Sequence, residues 1–212
     1  MTEPAGDPPA TKTLLIGLIG PIGAGKSTVA GWLADRGVVI VDADRLTREL
    51  MAPGTPVTAA VFARFGERFR LLDGSLDRRE LGRLVFADPA SLAALESIVH
   101  PAINELLERI VRQADEQGPR AMALEAVKLV EAGHAEHCDE VWLITCAPPV
   151  QLARLLGRGM SEADARQRIE AQAPSQPIWQ AAATRTISTD GPRDEVERAV
   201  RQALDEALAK QR

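Results

Sequence analysis

Eight consecutive residues, Gly20-Pro21-Ile22-Gly23-Ala24-Gly25-Lys26-Ser27, follow the pattern G-x-x-x-x-G-K-[ST]. Glycines at these places let the backbone turn its N–H groups inward, where they bind phosphate oxygens at the start of a helix. Lys26 then reaches the β- and γ-phosphates of a nucleoside triphosphate, and the Ser27 hydroxyl sits on Mg²⁺. The flanks supply the context this motif needs. Leu14–Ile19 is an unbroken apolar run of strand length just before it, and residues 27–36 read as a helix just after.

Other chemistry-bearing residues fall at the ends of further strand-like runs. Residues 38–41 end in Asp42-Ala43-Asp44. In an open α/β sheet, ligands sit beyond the carboxyl ends of the strands. One carboxylate of this pair would cap the following helix and the other, Asp44, would face an acceptor hydroxyl and take its proton late in the reaction. Position alone leaves open whether both are simply caps. The third run, 121–124, ends at Glu125, an acid able to hold a Mg²⁺-bound water. Arg154, Arg158, Arg166 and Arg168 follow the fourth run, and Gly157 and Gly159 flank Arg158. Planar guanidinium groups suit spread phosphate charge, and the glycines suggest a hinged lid. Arg154 and Arg158 are the functional candidates, whereas Arg166 reads better as one of the arginines that pair with Glu162, Asp164 and Glu170 on a wet helix face. His134, His137 and Cys138 lack a clear fourth ligand, and no zinc site is expected. His100 stands before Pro101 as a cap or a substrate contact.

Elements must position these groups. Short apolar runs at 14–19, 38–41, 121–124 and 141–144, with a weaker one near Ile187, alternate with helical stretches. That alternation predicts an α/β fold: a five-stranded parallel sheet flanked by helices. Gly37 closes the first helix. Leu81, Leu84 and Val85 predict another, Leu92, Leu95 and Ile98 a further one, and Ile103 to Val111 a helix opening after Pro101. The last helix is expected to begin at Pro192, with Val196, Val200, Leu204 and Leu208 inward and Glu197–Arg201 and Glu206–Lys210 pairs outward. The expected organisation is a tail over 1–12 and one domain over 13–212. That domain carries a helical insertion at about 47–117 and a lid at about 157–172.

Composition narrows the partners. The 212 residues are 45% apolar and 26% charged, enough for a core and a solvated surface. A net charge of −5, 3% aromatics and no Tyr argue against broad capture of nucleic acid. The two cysteines form no C-x-x-C pair, which excludes a disulfide scaffold. No run approaches the roughly 18 to 20 apolar residues of a membrane helix. The start does not read as a signal peptide, so a cytoplasmic protein without membrane contact is expected.

Taken in order, the motifs resemble the dephospho-CoA kinase family of P-loop kinases. They are Ile16-Gly17-Leu18, Gly20, Ile22 through Ala30, Val41-Asp42-Ala43-Asp44, Asp73 through Arg79, Ile98-Val99-His100-Pro101-Ala102-Ile103, and Arg154, Arg158, Arg168-Ile169 and Gln172. The resemblance implies transfer of the ATP γ-phosphate to the ribose 3′-hydroxyl of dephospho-coenzyme A, with Mg²⁺ as cofactor, by a monomer or weak homo-oligomer. It implies that Gly20 and the residues Gly23, Ala24, Gly25, Lys26, Ser27 and Thr28 bind ATP, helped by Arg154 and Arg158. Asp44 would be the catalytic base, His100 and Glu131 would contact the acceptor, and Ser27 and Glu125 would serve the metal.

The chain also differs from the family pattern. Ile19-Gly20-Pro21 stands for Thr-Gly-Gly, and Pro21 has no N–H to donate. Val127-Lys128-Leu129-Val130-Glu131 stands for Pro-Leu-Leu-x-Glu, and Glu125 for a strand-end Asp. Residues 183–191 replace Ala-Asp-x-Val-Ile-x-Asn-x-Gly, a segment of the family's adenine pocket. Two rival readings stay open: a kinase of another small metabolite or nucleotide, and a nucleotide-binding regulator without catalysis.

Overall fold

The computed structural model describes residues 12–126 and 128–211. Residues 1–11 of the expected tail and Val127 lie outside the described residues; Lys12 pairs with Asp139 at 2.7 Å.

Five strands form one sheet in the order β2-β3-β1-β4-β5. They are β1 (Leu14–Ile19), β2 (Val39–Asp42), β3 (Ala121–Glu125), β4 (Glu140–Thr145) and β5 (Arg185–Ser188). β1 runs parallel to both β3 and β4, and β4 parallel to β5. Every residue of β1 is buried, as expected of a central strand covered on both faces. Gly17 is needed within it: a Cβ there would meet Cys138 Sγ at 3.0 Å and Leu129 Cδ2 at 3.1 Å.

The chain divides into two compact units, Asp42–Ile110 and the remainder. In the sheet unit, Leu14, Ile16 and Leu18 join a core with α1 (Lys26–Ala34) and α9 (Arg193–Lys210). Val29 and Leu33 come from α1, and Val196, Val200 and Leu204 from α9. The Arg36–Asp205 ion pair (2.8 Å) joins the chain just past α1 to α9. The remaining helices of this unit are α6 (Pro148–Gly157), α7 (Glu162–Gln172) and α8 (Gln176–Ala182).

The second unit is helical. Its α2 (Ala43–Leu50), α3 (Pro56–Phe65) and α4 (Arg78–Ala87) are capped by Asp42, Thr55 and Asp77, whose side chains accept from Arg45, Thr58 and Glu80 amides. Val61, Phe62, Phe69, Leu81 and Val85 are buried in it. The Arg70 guanidinium lies 3.9 Å from the Phe62 ring centre.

Three local expectations need correction. α5 runs unbroken over Pro89–Gln117 with Pro101 inside it, so Pro101 opens no helix. The apolar stripe on both sides of Pro101 is continuous, and its packing outweighs one lost backbone hydrogen bond. Pro192 is the N-cap of α9 rather than its first helical residue. Glu197 does pair with Arg201, but Glu206 accepts from Arg185 at 2.8 Å while Lys210 reaches Glu140 at 2.9 Å. The half-buried Arg185 and the buried Glu140 draw these two charges toward the sheet, away from each other.

Candidate active site

The loop between β1 and α1 is built by three glycines in left-handed or otherwise positive-φ conformations: Gly20 (139°), Gly23 (79°) and Gly25 (98°). At Gly20 the requirement is also steric, because a Cβ would lie 2.1 Å from the Ile144 carbonyl oxygen of β4. Gly25 precedes α1, and no side chain among the described residues caps that helix. The amides at its start, and the positive end of the helix dipole, therefore face the loop's concavity and suit an anion.

Lys26 Nζ donates to the Gly20 carbonyl (2.7 Å) and the Pro21 carbonyl (3.2 Å). This holds the ammonium across the mouth of the loop. Ser27 Oγ lies 3.3 Å from Glu125 Oε1, so the first turn of α1 and the end of β3 meet through two oxygen ligands. Mg²⁺ commonly takes only one or two protein oxygens beside phosphate oxygens, and this pair fits that role. Among the described residues no three His, Cys, Asp or Glu side chains gather as a metal-binding group.

Arg154 of α6 clasps the other side of the loop. Its guanidinium donates to the carbonyls of Gly23 and Ala24 (both 3.3 Å), to the Thr189 hydroxyl (2.7 Å) and to the Thr189 carbonyl (2.7 Å). Thr189, buried just past β5, also donates its hydroxyl to the Ala24 carbonyl at 2.7 Å. Asp190 fixes the start of α6 by accepting from the Ala147 amide (2.7 Å) and the Ser188 hydroxyl (2.8 Å). Those two bonds hold its carboxyl below the ordinary aspartate range. Beside this cluster opens a cleft of about 480 Å³, lined by Gly25, Thr28, Trp32, Arg154, Arg158, Thr189, Gly191 and Arg193 among others. The Arg193 guanidinium stands 5.6 Å from the Trp32 ring centre on one wall.

The expected residues thus divide between the units. Gly20, Gly23 to Thr28, Glu125, Arg154 and Arg158 lie on the sheet unit. Arg158 is exposed at the end of α6, where Gly159 takes φ 82° and Met160 N bonds back to the Leu155 carbonyl (3.2 Å). Arg166 pairs with Glu162 at 2.7 Å, the solvated helix pair expected of it. Glu131 accepts from the buried Trp179 indole at 3.1 Å. Asp44 and His100 lie on the helical unit. Asp44 is exposed in the first turn of α2, and Asp42 caps that helix by accepting from the Arg45 amide at 2.9 Å. His100 is half-buried within α5. His134, set aside as a metal ligand, is buried, and Cys138 Sγ donates to its carbonyl at 3.6 Å. Burial, helped by the nearby Asp139 charge, pushes the Cys138 thiol up to about 12.

A family model described as dephospho-CoA kinase matches residues 14–194. The chain belongs to the dephospho-CoA kinase family. It is 41% identical over 194 residues to the dephospho-CoA kinase of Moorella thermoacetica, covering 91% of each chain. It is similar to the crystal structure of TT1252 from Thermus thermophilus, with 31% identity, a TM-score of 0.75 and coverage of 92% of this chain and 97% of that one. A dephospho-CoA kinase from Campylobacter jejuni shares the fold at 19% identity and TM-score 0.67, over 93% of this chain and 98% of that one.

Within the dephospho-CoA kinase pattern, the departures in residues 183–191 take on structural roles. Thr184 stands where the family carries Asp, and its hydroxyl accepts from the Val141 amide (2.9 Å) and contacts the Val141 carbonyl (3.1 Å). Thr189 stands where the family carries Asn and gathers Arg154 and Ala24. Sequence analysis placed Thr189 only within the departing segment 183–191, without its bonds to Arg154 and Ala24, and missed the Trp32–Arg193 wall. These contacts carry no local signal because the partners lie far apart along the chain.

Proposed function

We propose that Lys26, Ser27, Glu125 and Arg154 form the triphosphate end of a kinase site, and that Asp44 acts on the acceptor hydroxyl. The reaction is transfer of the γ-phosphoryl group of ATP to the ribose 3′-hydroxyl of dephospho-coenzyme A. The observation that carries this reading is the uncapped start of α1 behind a three-glycine loop, with Lys26 held across its mouth and Arg154 bonded to its carbonyls.

Phosphoryl transfer leaves the protein little covalent work; positioning and charge stabilisation do most of it. The loop amides and Lys26 take the β- and γ-phosphates. Because Lys26 has three N–H donors, it can turn toward phosphate and keep one loop carbonyl. Ser27 and Glu125 would hold Mg²⁺, which supplies neutralising charge at the phosphate oxygens. The cleft beside Thr28 and Trp32 takes the nucleoside. Asp44 orients the acceptor hydroxyl and receives its proton as the bond forms. Arg158, on the glycine-flanked turn after α6, covers the phosphates and helps exclude water. His100 on the helical unit and Glu131 on the sheet unit are the further candidates for contact with the acceptor.

The decisive experiment is ADP release from ATP and Mg²⁺, with and without dephospho-coenzyme A, beside a Lys26→Ala control. Release that requires the acceptor and vanishes in the control is expected. Equal release with other nucleosides or small alcohols would overturn the acceptor assignment, and release by the control would overturn the role of the loop.

A further inference from the structure

Two side-chain amides hold a single residue of the phosphate loop, one through each of the peptide units that flank its Cα. The Ile22 N–H donates to Gln172 Oε1 at 2.7 Å, and the Ile22 carbonyl accepts from Gln151 Nε2 at 2.7 Å. Gln151 lies on α6 and is 5% exposed. Gln172 is the last residue of α7. The backbone of α6 also presses on the loop, since a Cβ at Gly23 would meet the Gln151 carbonyl oxygen at 3.2 Å. Pro21 has no N–H, and the Ile22 N–H is taken by Gln172. The first half of this loop therefore offers phosphate few donors of its own and has to be held in shape from outside.

We infer that Gln151 and Gln172 are positioning residues that clasp Ile22, pre-order the loop for ATP and anchor both ends of the arginine-bearing segment between them. With Gln151 and Arg154 fixed at its start and Gln172 at its end, the segment 157–171 carries Arg158 and Arg168 in register with the phosphates. The clasp stays closed when nucleotide binds, so Ile22 contributes no amide to the phosphates. This rests on the reading that the loop binds ATP.

The test follows the Ile22 amide directly, by hydrogen exchange in the ¹⁵N-labelled full-length chain, alongside steady-state kinetics. Gln172→Met keeps the length and removes the acceptor, whereas Gln172→Glu keeps an acceptor. Gln172→Met is expected to speed Ile22 exchange about tenfold, the worth of one net hydrogen bond, and Gln172→Glu to leave it protected. Gln172→Met and Gln151→Met should each raise KM for ATP about tenfold with a smaller fall in kcat, as expected of lost pre-ordering. Unchanged Ile22 exchange in Gln172→Met would overturn the clasp, as would loss of its protection in the wild type on adding a non-hydrolysable ATP analogue. The exchange readout needs no turnover, so it separates failure of the clasp from failure of the kinase assignment.

Discussion

At the scale of single residues, three groups carry separable roles. Lys26→Ala removes the ammonium held across the loop, and turnover should fall by about a hundredfold or more, measured as acceptor-dependent ADP release. Asp44 and Asp42 can be told apart because Asp42 is already used as a helix cap. Asp44→Asn should lower kcat by about 10² to 10⁴ and leave the ATP Kd unchanged in calorimetry. Asp42→Ala should instead cost about 1 kcal/mol of stability. Normal turnover by Asp44→Asn would remove it as the base. Thr189→Val keeps the shape of the side chain but deletes the hydroxyl shared by Arg154 and Ala24. It should weaken ATP binding by about tenfold, read from nucleotide titration.

Elements show where the sequence was legible. β1, β3 and β4 are buried on both faces, so their apolar runs had no polar interruptions to hide them, and the glycine loop followed directly. Asp42 as a cap was also readable, since it stands at the boundary between an extended run and a helix. Pro101 misled because a helix-breaking residue is a local signal, while the apolar stripe continues on both sides of it, with Val99, Ile103 and Leu107 buried. The bonds of Thr189 and Gln151 were invisible for a different reason: their partners Ala24 and Ile22 lie more than a hundred positions away. Gly20→Ala tests the close approach of the phosphate loop to β4. It forces a Cβ against the Ile144 carbonyl at a backbone angle that L-residues rarely adopt, and should cost about 3 kcal/mol or more in denaturant unfolding.

For the whole molecule, an ionic network that joins β4 and the edge strand β5 to α9 ties the last helix down. Glu140 accepts from Lys210 (2.9 Å) and the Trp142 indole (2.7 Å), and Arg185 bridges it to Glu206. Burial pushes the Glu140 carboxyl up, but Lys210, Trp142 and Arg185 together hold it below the ordinary glutamate range. A carboxyl depressed in the folded state adds stability above its unfolded pKa and loses it as pH falls through the folded value. Melting temperature should therefore drop as pH is lowered from about 5 to 3, and Glu140→Gln should flatten that acid limb. An unchanged acid limb in the variant would assign the loss to other carboxylates. No helix among the described residues is long and apolar enough to cross a membrane.

The strand order also bears on how the chain is made. β1 is synthesised well before its partners, which begin at residues 121 and 140, and Thr189, which gathers the phosphate loop with Arg154, is made later still. At 5–20 residues per second, about ten to thirty seconds separate translation of the loop from that of the residue that completes it. For the first part of that interval the motif is present without β3 and β4, and the helical unit, Asp42–Ile110, is translated in full before either of them. Nucleotide can then act as a ligand for folding only after β5 and Thr189 have been made, and a truncation that removes β5 would keep every residue of the glycine motif and still lose the site.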